Sequence, residues 1–128
     1  AELLISHKFD GLIASNTTIE RPSSLQSKHA SEGGGLSGSP LKDKSTDCIR
    51  QFYKILKGHV QIIGVGGIAN ADDAWEKMLA GADVLQIYSL FIYQGPAMVA
   101  DIVKGLQLKL DEHGYDDLAT AMASLRDR

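Results

Sequence analysis

Apolar positions follow two rhythms along this chain. Short, nearly unbroken runs occur three times, at Leu12-Ile13-Ala14, Ile62-Ile63-Gly64-Val65 and Val84-Leu85-Gln86-Ile87. Runs of that length, bounded by turn residues, predict buried strands. Elsewhere the spacing lengthens to three and four. Leu3, Leu4, Ile5 and Phe9 read as a helix tail over residues 1–9. Ile49, Phe52, Tyr53, Ile55 and Leu56 form the stripe of a helix that opens at Ser45-Thr46 and ends at Gly58. Asn70 suits an N-cap, Asp72 and Asp73 an acidic first turn, and Ala74, Trp75, Met78 and Leu79 a stripe that Gly81 closes. After Pro96, the apolar positions from Met98 to Leu110 predict a long amphipathic helix, and a short one follows from Asp116 or Asp117 to Leu125.

The order βαβαβα, with continuous rather than alternating strands, predicts an α/β fold with a parallel sheet covered by helices. Three strands are fewer than the eight of a closed (β/α)8 barrel. Alone they would leave two unpaired edges and an exposed apolar face. Ile13, Ile63, Val65, Leu85 and Ile87 are expected on that inward face. The stretch 15–44 breaks the rhythm with Ser, Thr, Gly and Pro. A loop so long in a compact domain is functional or disordered.

Composition narrows the classes. With 128 residues, 44% of them hydrophobic, the chain has the make-up of one globular domain. A net charge of -3 gives no bulk attraction to nucleic acid or anionic lipid. Cys48 stands alone, so no internal disulfide or Cys-based metal site is expected, which fits a reducing compartment. No apolar run approaches the roughly 18 residues of a membrane span. The opening AELLISHKFDG has no basic leader and no Met, and the expectation is that the chain starts mid-protein.

Candidate chemistry sits at the strand ends. Gly64, Gly66 and Gly67 end one strand, and Tyr88-Ser89 ends the next. Glycines there bring backbone N–H groups close to a ligand, and such turns bind phosphate. Gly64-Val65-Gly66-Gly67-Ile68-Ala69 also fits a dinucleotide fingerprint, but that reading needs an acid ending the next strand. Asp83 stands at the wrong end of it. A barrel's phosphate site, built from the loops after its last two strands, suits the pattern better. The alternative is that the glycines only make tight turns and that Ser89 caps a helix. The Gly-rich stretch from Gly33 to Gly38, expected on the same face, weighs against it. Ser15-Asn16-Thr17-Thr18 follows the first strand and could hold a planar polar ligand, or be an Asx or Ser/Thr turn. His7, His29, His59 and His113 show no metal-ligand spacing. Cys48 reads as core, Asp72 and Asp73 as a charged first turn, and no general base stands out.

In this order and spacing, ASNTT, EGGGLSGSPLKDKST, IIGVGGI, AGADVLQIYS and FIYQGP resemble the dihydroorotate dehydrogenase family, in its quinone-using, membrane-associated, bacterial form. The resemblance covers about Asp10 to Lys104. It implies the last three β/α units of a (β/α)8 barrel: a helix tail 1–9, units 10–58, 59–81 and 82–113, and a terminal helix 114–128. It implies FMN across the barrel mouth, with Ser15 near the flavin and Gly38, Gly67, Tyr88 and Ser89 binding the cofactor. Asn16 and Thr17 would hold dihydroorotate or orotate. The implied reaction takes (S)-dihydroorotate to orotate in pyrimidine synthesis: a base removes the C5 proton, a hydride passes from C6 to the flavin, and a quinone reoxidises it.

The family's base, a Ser on a mobile loop, lies upstream of the matching motifs, as do a flavin-side Lys and the helices that bind quinone and membrane. No catalytic or metal-ligating residue is therefore expected in this segment. The parent enzyme would sit peripherally on the cytoplasmic side of the inner membrane. A piece of it alone is expected to be inactive and self-associated. A non-catalytic flavin- or phosphate-binding module that self-associates, or another phosphate-binding barrel enzyme, are the alternatives.

Overall fold

The computed structural model describes residues 1–126. Its elements run α1 (Glu2–Ser6), β1 (Gly11–Ala14), α2 (Lys42–Leu56), β2 (Gln61–Val65), α3 (Ala71–Leu79), β3 (Val84–Gln86), α4 (Ser89–Gln94), α5 (Ala97–His113) and α6 (Leu118–Leu125). The sheet is parallel, in the order β1-β2-β3. Ile13 stands beside Ile63, and Ile63 beside Val84. The α/β fold with a parallel sheet is thus the one the sequence predicts. No described helix is long and apolar enough to cross a membrane.

Register decides which side chains face the helices. Ile62 and Gly64 of β2 are buried under α2, with Ala14, Ile49, Leu56, Val60 and Ala82. Leu85 lies level with Gly64 and therefore packs on the helix side, and Ile87 packs against the helical core. Both were expected on the inward face; the register moves Leu85 off it, while Ile87, beyond the paired residues, also lines the cavity at the strand ends. Val84 and Gln86 take that face instead, beside Ile63 and Val65, because side chains alternate along a strand. It is the open one: Ile13 is 59% exposed and Val84 50%.

A second core lies between α3, α5 and α6, around Trp75, Met78, Ile102, Leu106 and Ala121. Gly105 lets α3 and α5 approach, since a Cβ there would fall 2.3 Å from Ala71 Cβ. Asn70 caps α3 as its sequence predicts, its side chain accepting the Asp73 N–H at 2.9 Å. Asp117 caps α6 in the same way.

α2 begins earlier than its stripe suggests. A 3₁₀ turn, Ser39–Leu41, leads into Lys42, with Pro40 in its first turn. Ser45 and Thr46 therefore sit inside the helix, buried, and the Thr46 hydroxyl donates back to the Lys42 carbonyl at 2.9 Å. Leu56 is the last helical residue, and Lys57 takes the left-handed conformation one position before Gly58.

Candidate functional site at the carboxyl ends of the strands

The three strands point their carboxyl ends at one cavity of about 470 Å³. Ser15, Asn16 and Thr17 arrive from β1, Gly38 from the long loop, Gly67 from β2, and Tyr88 and Ser89 from β3. These seven line this one space, whereas Thr18 and Gly64, also candidates from the sequence, do not. Ile13 of the inward face and Ser37 of the Gly-rich stretch line it too, as do Leu41 and Gln86, which the sequence did not mark.

Each loop has a local reason for its path. Gly38 has φ 80° and ψ -157°, a backbone region that only glycine enters readily. The turn after β2 needs glycine for packing. A Cβ on Gly66 would fall 2.9 Å from Leu41 Cδ2, and one on Gly67 2.6 Å from Lys42 Cα. The tight-turn alternative weighed from the sequence thus has a packing basis of its own, because the start of α2 presses on the turn from behind. Ser37 and Ser89 share a hydrogen bond of 2.6 Å between their hydroxyls, tying the long loop to the end of β3. Among the described residues, the N–H groups of Gly38, Gly67 and Ser89 donate to no protein acceptor. Tyr88 stands 72% exposed at the rim.

On the β1 side the Asn16 carboxamide oxygen accepts the Thr17 N–H at 2.7 Å. Thr17 packs directly on Gly35, where a Cβ would lie 1.8 Å from the Thr17 hydroxyl. The long loop is ordered by two devices. Thr18 and Leu36 exchange backbone hydrogen bonds of 3.0 and 2.7 Å. The Arg21 guanidinium donates to the carbonyls of Ala30, Glu32 and Gly34 at 3.1, 2.8 and 2.8 Å.

Among the described residues, the cavity lining carries no charged side chain. A phosphate here would meet N–H groups and hydroxyls, which suit an anion without fixing a counter-charge. The charges lie behind, along α2 and α3. Lys42 bridges Asp73 and Glu76 at 2.8 and 3.1 Å, and its hydrogen bond to Asp73 above all holds its ammonium above the ordinary lysine range. Asp73 lies in the acidic first turn of α3, as the sequence predicts, but its surroundings were not legible there. It is buried, and its other oxygen accepts the Ala69 N–H at 3.0 Å. Lys77 is fully buried, and burial pulls its pKa down to about 8 against the raising pull of Glu76 and Asp73. The sequence held a signal for it, since Lys77 shares an i, i+3 face with Ala74, the apolar side of α3. Cys48 is half-buried against the α2 core, and burial pushes its thiol up.

A parallel sheet whose strand-end loops meet around one cavity of neutral donors defines an α/β protein with a candidate site at the carboxyl ends of its strands, where barrel enzymes carry theirs. The sequence model of the family described as "Dihydroorotate dehydrogenase" matches residues 1–110. The "Dihydroorotate dehydrogenase (quinone)" of Vibrio vulnificus is 55% identical over 103 residues, covering 80% of this chain and 31% of that protein. Its namesake from Novosphingobium aromaticivorans is 46% identical over 122 residues, covering 95% of this chain and 35% of that one. The crystal structure of the ligand-free enzyme from Eimeria tenella is 40% identical with a TM-score of 0.92, covering all of this chain and 35% of that chain. The chain belongs to the dihydroorotate dehydrogenase family. It spans about a third of the length of the curated relatives it matches.

Proposed function

We propose that this chain forms the carboxy-terminal three β/α units of a quinone-dependent dihydroorotate dehydrogenase barrel and supplies the phosphate side of its FMN site. The whole enzyme would oxidise (S)-dihydroorotate to orotate in pyrimidine synthesis and pass the electrons to a quinone. The observation that carries this reading is the single cavity joining all the strand-end loops. Its donors fit the cofactor: free N–H groups at Gly38, Gly67 and Ser89, paired hydroxyls at Ser37 and Ser89, and no carboxylate to repel an anion.

When bound, FMN supplies the hydride-accepting chemistry. The residues of this chain hold and orient. Gly38, Gly67, Tyr88 and Ser89 receive the cofactor, and Ser15 lies on its flavin side. Asn16 and Thr17 hold the dihydroorotate or orotate ring, which fixes the reacting carbon and lowers the entropic part of the barrier. Among the described residues, neither His nor carboxylate lines the cavity, and the family resemblance assigns the proton from C5 to a Ser upstream of the matched motifs. Quinone and membrane contacts are assigned to upstream helices of the whole enzyme, peripheral on the cytoplasmic face of the bacterial inner membrane.

Two measurements test this. FMN and riboflavin are titrated into the protein and followed by flavin fluorescence. Clear preference for FMN is expected, and equal or absent binding would overturn the phosphate cradle. The chain is also joined to the amino-terminal two thirds of the Vibrio vulnificus relative. That chimera is expected to reduce a quinone in the presence of dihydroorotate, and to lose most of that activity with Asn16→Ala. A folded, flavin-loaded chimera with no activity would refute the assignment.

A further inference from the structure

Behind the cavity, on the far side of the Gly66-Gly67 turn, lies a buried cation with no role in the site so far. Lys77 heads the fully buried side chains by size. Its ammonium makes three hydrogen bonds, to Ser45 Oγ at 2.5 Å, Thr46 Oγ1 at 2.9 Å and the Lys42 carbonyl at 3.3 Å. None of the three partners is a carboxylate. The acids of its own helix that face it, Asp73 and Glu76, are held by the Lys42 ammonium, while Asp43 acts on it from α2.

Two of the three partners, Ser45 and Lys42, reach the turn. Ser45 Oγ donates to the Gly66 carbonyl at 3.0 Å. Lys42 is the residue against which Gly67 packs. The ammonium thus grips the turn through a hydroxyl on one side and through the start of α2 on the other. A cation without a bonded counter-ion, one side chain behind a cradle of neutral donors, favours an anion in front of it.

We propose that Lys77 is a positioning residue for the FMN phosphate, holding the Gly66-Gly67 turn through Ser45 and Lys42 and adding its buried charge to the attraction of the cradle. This rests on the FMN reading given above. Because its pKa lies near 8, the charge is present at neutral pH and is lost as pH rises. Phosphate-dependent affinity should therefore fall as pH rises through that value. The second phosphate pKa, about 6, is already passed in this range and does not interfere.

The test compares FMN with riboflavin from pH 7 to 9.5 for wild type, Lys77→Met and Ser45→Ala. Titrations of the flavin ring are common to both ligands and cancel in the ratio of affinities. The wild-type ratio is expected to fall severalfold across this range. Lys77→Met should show a low ratio that ignores pH. Ser45→Ala should lower the ratio yet keep its pH dependence. Lys77→Met leaves the hydroxyls of Ser45 and Thr46 with their acceptors, the Gly66 and Lys42 carbonyls, and urea unfolding checks that it folds. Should it not fold, the wild-type profile decides, and a flat ratio overturns the proposal. An FMN preference that ignores both pH and Lys77 overturns this proposal alone. A wild type that binds both flavins equally, or neither, overturns the FMN reading and takes this one with it.

Discussion

Gly67→Ala separates the two demands placed on the turn behind the cavity. Gly67 has φ +71°, where an L side chain is strained. Its Cβ would also stand 2.6 Å from Lys42 Cα and 2.7 Å from Lys42 N, well inside ordinary contact. Those atoms belong to the backbone, so no rotamer change relieves the clash. Gly114, at the end of α5, provides the control: its φ is +72°, and no atom lies within 4 Å of a Cβ there. Gly114→Ala should cost the left-handed strain alone, about 1–2 kcal/mol. Gly67→Ala should add an overpacking cost of about 1–3 kcal/mol on top of that strain.

Equilibrium urea unfolding followed by Trp75 emission reads both, since Trp75 is buried in the helical core next to His113. The difference between the variants is the quantity of interest, because strain is common to both and cancels. If Gly67→Ala costs no more than Gly114→Ala, within about 0.5 kcal/mol, the turn is not pressed between cavity and helix. The account of why glycine stands there would then be wrong.

Three further outcomes follow from particular contacts. Arg21→Met should leave global stability nearly unchanged, because its carbonyl partners lie in an exposed loop, but should speed proteolytic cutting between residues 18 and 36 about tenfold; an unchanged cutting rate would show that the guanidinium does not order the loop. The Asp117 carboxyl is held below the usual carboxylate range by the Thr120 N–H and hydroxyl, so its stabilisation is present above the unfolded value of about 3.9 and is lost as pH falls through the lower folded value. Asp117→Asn should therefore narrow the acid-side fall in melting temperature, and an identical fall in variant and wild type would exclude this linkage. The isolated 128-residue chain should self-associate through the open sheet face of Ile13 and Val84, so a single monomer boundary in sedimentation, with a cooperative melt, would rule that out.

What was legible in the sequence was local chemistry. The Asn70 cap acts within three residues of itself, so a reader of the chain sees both donor and acceptor. The parallel order follows from strand composition and connection length, and the site loops follow from motifs at strand ends. Features that depend on distant partners were not legible. Leu85 and Ile87 belong to an apolar run in which every position looks equivalent, and only pairing with β2 assigns Leu85 to the helix side. Ser45 and Thr46 look like a helix start because they have good capping side chains. They are interior because Pro40 and Lys42 begin the helix first and because Lys77, more than thirty residues away, needs their oxygens. The same need accounts for a lysine on the apolar face of α3. A buried ammonium is tolerated only where hydroxyls and a carbonyl already converge on it. That convergence exists because α2 and α3 flank the turn that shapes the cavity, so the least legible residue of the chain is tied to its most legible motif.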